Sequence, residues 1–491
     1  LSLWLLLLSA GCDPQRLPGA DAGQAPDASV DAGLDGGAPL DTCAQVTPSA
    51  PDLENYAALL VCLRDAAALG AAKDMAIATF VDAVETHDGF PLVGEGKVVF
   101  VYVKDARFDV EVGKRAEEHF DLANRGDPLR VAGDFNTWDA TAAPLTAEDR
   151  GFYHRALPLA PAAQRWGYKF IAKGGGADVW FSDPLSRRFD YDSNGRLSVV
   201  RGGDAQGHLE WMRSVHAAQL AVDRPIYMYV PRGYDSSAAA AKRYPVLYMH
   251  DGNNLFDVDQ PRAASATWDV DAVAEAEITA GRAREFIVVG VPNNDNRFGE
   301  YTHTTDVVGG STVGGDGDKY VDFLVSDLKP LVDQRYRTQP GRESTGILGS
   351  SLGGLISYYA GLKKPAVFKY VGGMSSTFDW GNPTVISLYG LATDLASRDQ
   401  VFYLDSGGAP PATGPCKFDG FDDSADNYCE TLAMKAQLEA LGVNRFPLDP
   451  DASPLMPANI NVMHWWTSGA PHFETAWHDR LHRVMRLFFR P

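Results

Sequence analysis

The segment Gly349-Ser350-Ser351-Leu352-Gly353 fits G-x-S-x-G, with Ser351 and not Ser350 at its centre. It follows the apolar TGIL and precedes the helix-like LGGLISYYAG. A serine on a tight strand-to-helix turn is exposed for nucleophilic attack, and flanking glycines let neighbouring backbone pack close. The helix that follows points its N-terminus at the site and favours developing negative charge. Without a base, the same residues are only a glycine-rich turn, because a serine hydroxyl is a poor nucleophile alone. On a parallel sheet with such a turn the chain order is serine, acid, histidine. The histidines downstream are His464, His472, His478 and His482. His472 lies in a loop before a C-terminal amphipathic helix, His478 and His482 fall inside that helix, and His464 sits in a strand-like run, so His472 is the candidate base. The acid should follow the strand QVFYLDSGG and precede the helix NYCETLAMKAQLEALG. Asp405 is too early, inside the strand end. Asp426 stands at the helix doorstep, with Asp422 and Asp423 as close competitors.

These residues need a scaffold that delivers them to one edge. From about His208 to Pro491, apolar strands alternate with helices, and YPVLYMHDG, FIVVGVPNN, TGILGSS, YVGGMSS and VFYLDSGG each end in a polar or glycine-rich loop. That pattern predicts an α/β domain over 206–491, a parallel sheet with its site at the strand C-termini. Over 91–205 the texture is different. Short strand-like runs such as KVVFVYVK and RWGYKFIAKG, separated by turn residues, predict a β-sandwich. Residues 44–90 read as a short helical segment, two helices broken near Gly70. The tract 13–43, rich in Ala, Asp, Gly and Pro, has no hydrophobic period and reads as a disordered linker.

At 491 residues, 45% of them hydrophobic, the chain is long enough for two or three cores. A formal net charge of −20 argues against nucleic acid as a partner, which needs a basic surface. Residues 1–12, LSLWLLLLSAGC, have a short apolar run ending in small residues, like a signal peptide. SAGC resembles a bacterial lipobox with Cys12 as the lipidated residue; the alternative is plain secretion with Cys12 discarded. Either way, export is expected, to the cell envelope through an N-terminal lipid anchor or to the medium. Cys43, Cys62, Cys416 and Cys429 remain, an even number suited to an oxidising compartment. Proximity favours Cys43–Cys62 and Cys416–Cys429. No CxxC or Cys/His cluster suggests zinc, and the expected chemistry uses no cofactor.

YPVLYMHDGNNLFD, RFGEYT, GSSLGGL, MSSTFDW and PHFETAWHDRL, in this order, resemble the esterase D family. It includes enterochelin esterases, feruloyl and acetyl-xylan esterases of carbohydrate esterase family one, S-formylglutathione hydrolases and mycolyltransferases. The resemblance covers about 280 residues and implies an α/β-hydrolase fold with a Ser-Asp/Glu-His triad. It implies Ser351 as nucleophile, His472 as base and Asp426 as acid, in a loop that here is longer, acidic and flanked by two cysteines. The oxyanion hole would be the backbone N–H groups of Leu352 and of Asn253, after HDG. Arg297 and Glu300-Tyr301 match a family pattern near the acyl site, with a structural ion pair as the alternative.

LRVAGDFNTWD, WGYKFI, DVWFSDP and DYDSNGRLSVV resemble the glycogen-binding, isoamylase N-terminal type of carbohydrate module, an immunoglobulin-like β-sandwich. Binding members hold glucan with two tryptophans and a lysine, positions that Trp138, Lys169 and Trp180 occupy here. Their asparagine near the module's end falls on Leu197 or Ser198. Bracing the catalytic domain is the alternative role. Together these resemblances imply an exported serine esterase acting on acyl groups of polysaccharide, feruloyl or acetyl. The alternatives are a siderophore or lipid esterase or acyltransferase, and a carbohydrate-binding surface lipoprotein with an inactive hydrolase fold.

Overall fold

The computed structural model describes residues 41–105, 107–108, 128–159, 165–174, 176–201, 205–256, 266–381, 384–412, 415–416, 425–447 and 459–491. Cys12, the linker up to residue 40, Asp422 and Asp423 lie outside the described residues.

Two helices, α1 (Asp52–Arg64) and α2 (Gly70–Thr86), open the described chain. The Cys43–Cys62 disulfide ties α1 to the turn before it. The strands that follow are β1 (Leu92–Gly94), β2 (Lys97–Val103), β3 (Arg130–Gly133), β4 (Thr146–Ala147), β5 (Phe152–Pro158), β6 (Gly167–Gly174), β7 (Ala177–Phe181), β8 (Arg188–Asp192) and β9 (Gly195–Val199). β2 explains why its sequence is a continuous apolar run. Its residues Val99, Val101 and Val103 pack with Leu59, Phe80 and Val84 of the helices. Its alternate residues Val98, Phe100 and Tyr102 pack with Val131, Tyr168 and Phe170 of the opposite sheet. A strand buried on both faces has no polar side to show, so it does not alternate. Each such side chain contributes about 1.5–3 kcal/mol by burial, which makes β2 the joint between the helices and the sandwich.

The C-terminal half supplies β10 (His208–Ala217), β11 (Val222–Val230), β12 (Val246–His250), β13 (Ile287–Val291), the separate hairpin β14 (Thr305–Val308) and β15 (Ser311–Gly314), β16 (Thr345–Ser350), β17 (Tyr370–Met374), β18 (Val401–Ser406) and β19 (Val462–Trp466). The sheet order β19-β18-β17-β16-β12-β13-β11-β10 has parallel pairing from β19 to β13 and antiparallel pairing from β13 to β10. This is an α/β-hydrolase sheet, with β16 at its centre. The helices used below are α3 (Val270–Thr279), α4 (Leu352–Lys363), α5 (Tyr428–Ala440) and α6 (Glu474–Phe488).

Backbone pairing does not stop at 205/206. β8 pairs antiparallel with β10, Phe189 opposite Leu209 and Arg188 opposite Glu210, so the sandwich's second sheet continues into the hydrolase sheet. Glu210 sits at this junction 1% exposed, bonded by Arg187 (2.6 Å) and the Tyr336 hydroxyl (2.9 Å). Burial alone would raise its carboxyl; Arg187 and Arg188 outweigh it and hold the group well below the ordinary carboxylate range.

Candidate active site

Ser351 directly follows β16 and caps α4 with φ 55° and ψ −126°. A side-chain-bearing residue is strained there, by about 1–3 kcal/mol, and must be held by its surroundings. Its N–H donates to Met374 O (3.0 Å), and its carbonyl accepts from Thr377 N–H (3.2 Å) and from the first turn of α4. The neighbouring glycines are required for contact. A Cβ on Gly349 would lie 2.6 Å from Gly353 backbone, and one on Gly354 would lie 2.0 Å from Ser376 Oγ. Ser350, by contrast, is 3% exposed at the end of β16. The Ser351 hydroxyl is 3.3 Å from Thr377 Oγ1, which also accepts from Asn427 Nδ2 (3.3 Å). The Leu352 and Asn253 N–H groups have no partner among the described residues.

The histidine and the acid meet. His472 Nδ1 and Asp426 Oδ1 are 2.7 Å apart, and the imidazole stands edge-on to Trp477, centroids 5.1 Å apart. This leaves Nε2 as the ring nitrogen free for a substrate or a hydroxyl. Among the described residues His472 and Ser351 share no hydrogen bond; such contacts often close only around substrate. Asp426 and Asn427 both have left-handed backbone, φ 55° each, just before α5. The Asp426 side chain is 1% exposed. Its Oδ2 accepts from the Ser375 hydroxyl (2.7 Å) and from Gly407 N–H. A Cβ on Gly407 would collide with that oxygen at 2.5 Å, so glycine is required. Behind the pair, Arg480 of α6 donates to Ser375 Oγ (2.9 Å) and pairs with Asp405 (3.1 Å). Asp405 is thus a buried structural partner, its carboxyl raised by burial against the pull of Arg480. The Cys416–Cys429 disulfide closes the loop that delivers Asp426.

The other histidines go elsewhere. His464 lies in β19, its imidazole pulled down to about 4 by burial. His478 is bonded through Nδ1 to Trp268 O (2.9 Å). The strained serine, two open backbone N–H groups and a carboxylate-oriented imidazole are the parts that acyl transfer requires.

Residues 217–484 match the family model described as Putative esterase. The chain belongs to this esterase family. Residues 123–186 of the chain match Carbohydrate-binding module 48 (Isoamylase N-terminal domain). The uncharacterized protein YbbA of Bacillus subtilis (strain 168) is 27% identical over 180 residues, 35% of this chain and 64% of that relative. The endo-1,4-beta-xylanase/feruloyl esterase of Xylanibacter ruminicola is 26% identical over 275 residues, 55% of this chain and 35% of that relative. The chain thus spans less than two thirds of either relative's length. Among solved structures, a ferulic acid esterase is similar with TM-score 0.42 and 18% identity, over 58% of this chain and 98% of that one. The enterobactin esterase FES from Shigella flexneri is similar with TM-score 0.40 and 14% identity, over 80% and 93%.

Of the two readings for Glu300, near the acyl site or in a structural ion pair, the structure shows the second: it is 1% exposed, and Arg224 (2.7 and 2.9 Å) and Asn294 (2.7 Å) occupy its carboxylate. Its neighbour Arg297 holds Asp251 with two bonds of 2.7 and 2.9 Å, bracing the turn that carries Asn253. Trp138, Lys169 and Trp180 line one cavity of about 530 Å³ together with Asp192 and Asn194. The tryptophan centroids are 6.3 Å apart, and Lys169 Nζ donates to Asn194 O (2.9 Å). Leu197 and Ser198, which stand where binding members carry their asparagine, are buried in β9, and Asn194 lines the cavity instead. Asn194 lies in the two-residue Ser193-Asn194 turn of the β8–β9 hairpin, which Gly195 closes by pairing with Asp192.

Proposed function

We propose that the protein is an exported serine esterase that releases acyl groups, of the feruloyl or acetyl kind, from polysaccharide. The observation that carries the catalytic reading is the 2.7 Å His472 Nδ1–Asp426 Oδ1 contact, made in the same centre as the strained Ser351 turn. Ser351 Oγ attacks the ester carbonyl carbon while His472 Nε2 takes its proton. The carbonyl oxygen becomes an oxyanion facing the N–H groups of Leu352 and Asn253. The C–O bond to the alcohol breaks, His472 returns the proton to the leaving oxygen, and an acyl-serine remains. Water, deprotonated by His472, then releases the carboxylic acid and restores Ser351. Asp426 keeps the imidazole in one tautomer and stabilises its cation.

The polysaccharide half of the reading has separate support. The cavity pairs two aromatic faces, which stack on sugar rings, with an ammonium and polar groups suited to hydroxyls. One relative carries a feruloyl esterase name beside a xylanase name. The two disulfides fit an oxidising compartment outside the cytoplasm. The test is turnover of p-nitrophenyl acetate by the wild type and by Ser351→Ala, followed by a panel of acetyl and feruloyl oligosaccharides. Hydrolysis lost in the variant and fastest on the oligosaccharide esters is expected; equal hydrolysis by both proteins contradicts the catalytic reading.

A further inference from the structure

We propose that Glu474 is a positioning residue that ties the oxyanion loop 251–254 to the His472 loop, and so fixes the second N–H donor, Asn253. The proposal rests on the serine-esterase reading. Glu474 is the first residue of α6, two positions after His472, and is 7% exposed. Its Oε1 accepts from Asn254 Nδ2 at 3.3 Å. Asn254 follows Asn253 directly, and its carbonyl accepts from Trp268 N–H (3.0 Å). Trp268 in turn packs on Trp477 of α6, centroids 5.3 Å apart. The oxyanion loop is therefore clamped from two sides, by Arg297 on Asp251 and by α6 on Asn254.

The charged groups facing Glu474 are Asp251 and Arg297 from the oxyanion side and His472 from its own loop. Burial raises the Glu474 carboxyl, Asp251 raises it further, and His472 and Arg297 pull it back. Asp426 reaches His472 independently, through Nδ1. An ionised Glu474 thus adds a second negative charge near the imidazolium that forms during acyl transfer. A donor that meets charge only in the transition state alters kcat more than KM.

The experiment compares Glu474→Ala and Glu474→Gln in the full chain. The glutamine keeps an acceptor for Asn254 and removes the charge. On p-nitrophenyl acetate, Glu474→Ala is expected to lose about 10- to 100-fold in kcat, the scale of a misplaced donor, with little change in KM. Glu474→Gln should recover most of that loss. Backbone amide exchange over 251–254, followed by NMR, should quicken in Glu474→Ala and stay near wild type in Glu474→Gln. Wild-type kcat in Glu474→Ala, a glutamine variant no better than the alanine, or unchanged exchange in the alanine variant would each overturn the proposal. Failure of the serine reading looks different: Ser351→Ala would retain turnover, while the amide exchange, which needs no turnover, still decides whether Glu474 holds the loop.

Discussion

The candidate catalytic centre and the sandwich cavity hold their residues by opposite means. Ser351, Asp426 and His472 come from loops far apart in the chain, two of them on positive-φ backbone, and the Asp426 that holds His472 is backed by a buried relay through Ser375 and Arg480. Trp138, Lys169, Trp180 and Asn194 come from neighbouring strands and turns of one sandwich, and Trp180 is 40% exposed. The first arrangement concentrates strain and buried charge at a few points, so single changes should be severe. The second spreads the proposed recognition over flat aromatic surface, so changes there should weaken glycan binding and leave the chemistry intact.

The largest expected effect is at the relay. His472→Ala should reduce kcat on p-nitrophenyl acetate by about 10⁴-fold or more, whereas His478→Ala should remain near wild type; equal losses at both would remove the distinction between loop and helix histidines. Asp426→Asn comes next, with a loss on the order of 10³–10⁴-fold through the wrong imidazole tautomer, read with unchanged thermal stability. Opening the staple is gentler. Cys416→Ser with Cys429→Ser releases a link between residues 13 positions apart, worth roughly 3 kcal/mol in the chain-entropy model. It should lower kcat more than it lowers the thermal midpoint, because the disulfide holds the start of α5 where Asp426 sits; a midpoint drop with full kcat would show only general bracing. The smallest effect on chemistry belongs to the cavity. Trp138→Ala with Trp180→Ala should abolish retardation by soluble glucan or xylan in native gels and leave p-nitrophenyl acetate turnover within about 2-fold, a surface-change effect. Loss of turnover in this pair would merge the two regions into one functional unit.

The same contrast governs what could be read from the sequence. Strand and helix positions were legible where period and turn chemistry agree, as in TGILGSSLGGL running from β16 into α4. The continuity of the two sheets was not, because the β8–β10 pairing depends on backbone register, which leaves no mark in composition. The choice between the two readings of Glu300 was not legible, because RFGEYT does not reveal that Arg224, 76 positions earlier, claims its carboxylate. That Asn194 lines the cavity beside Lys169 depends on the β8–β9 hairpin turn folding over β6, which the sequence does not show. Glu474 carries no motif that sets it apart; only the folded proximity of Asn254, 220 positions away, gives it a partner.

The central claim, that Ser351 is the nucleophile activated through His472, is tested most directly by stoichiometric labelling with a fluorophosphonate and peptide mapping of the adduct. The account predicts one phosphonate per chain, on Ser351, absent in Ser351→Ala, present at normal rate in Ser350→Ala and strongly slowed in His472→Ala. An adduct on Ser350, or labelling indifferent to His472, would contradict it.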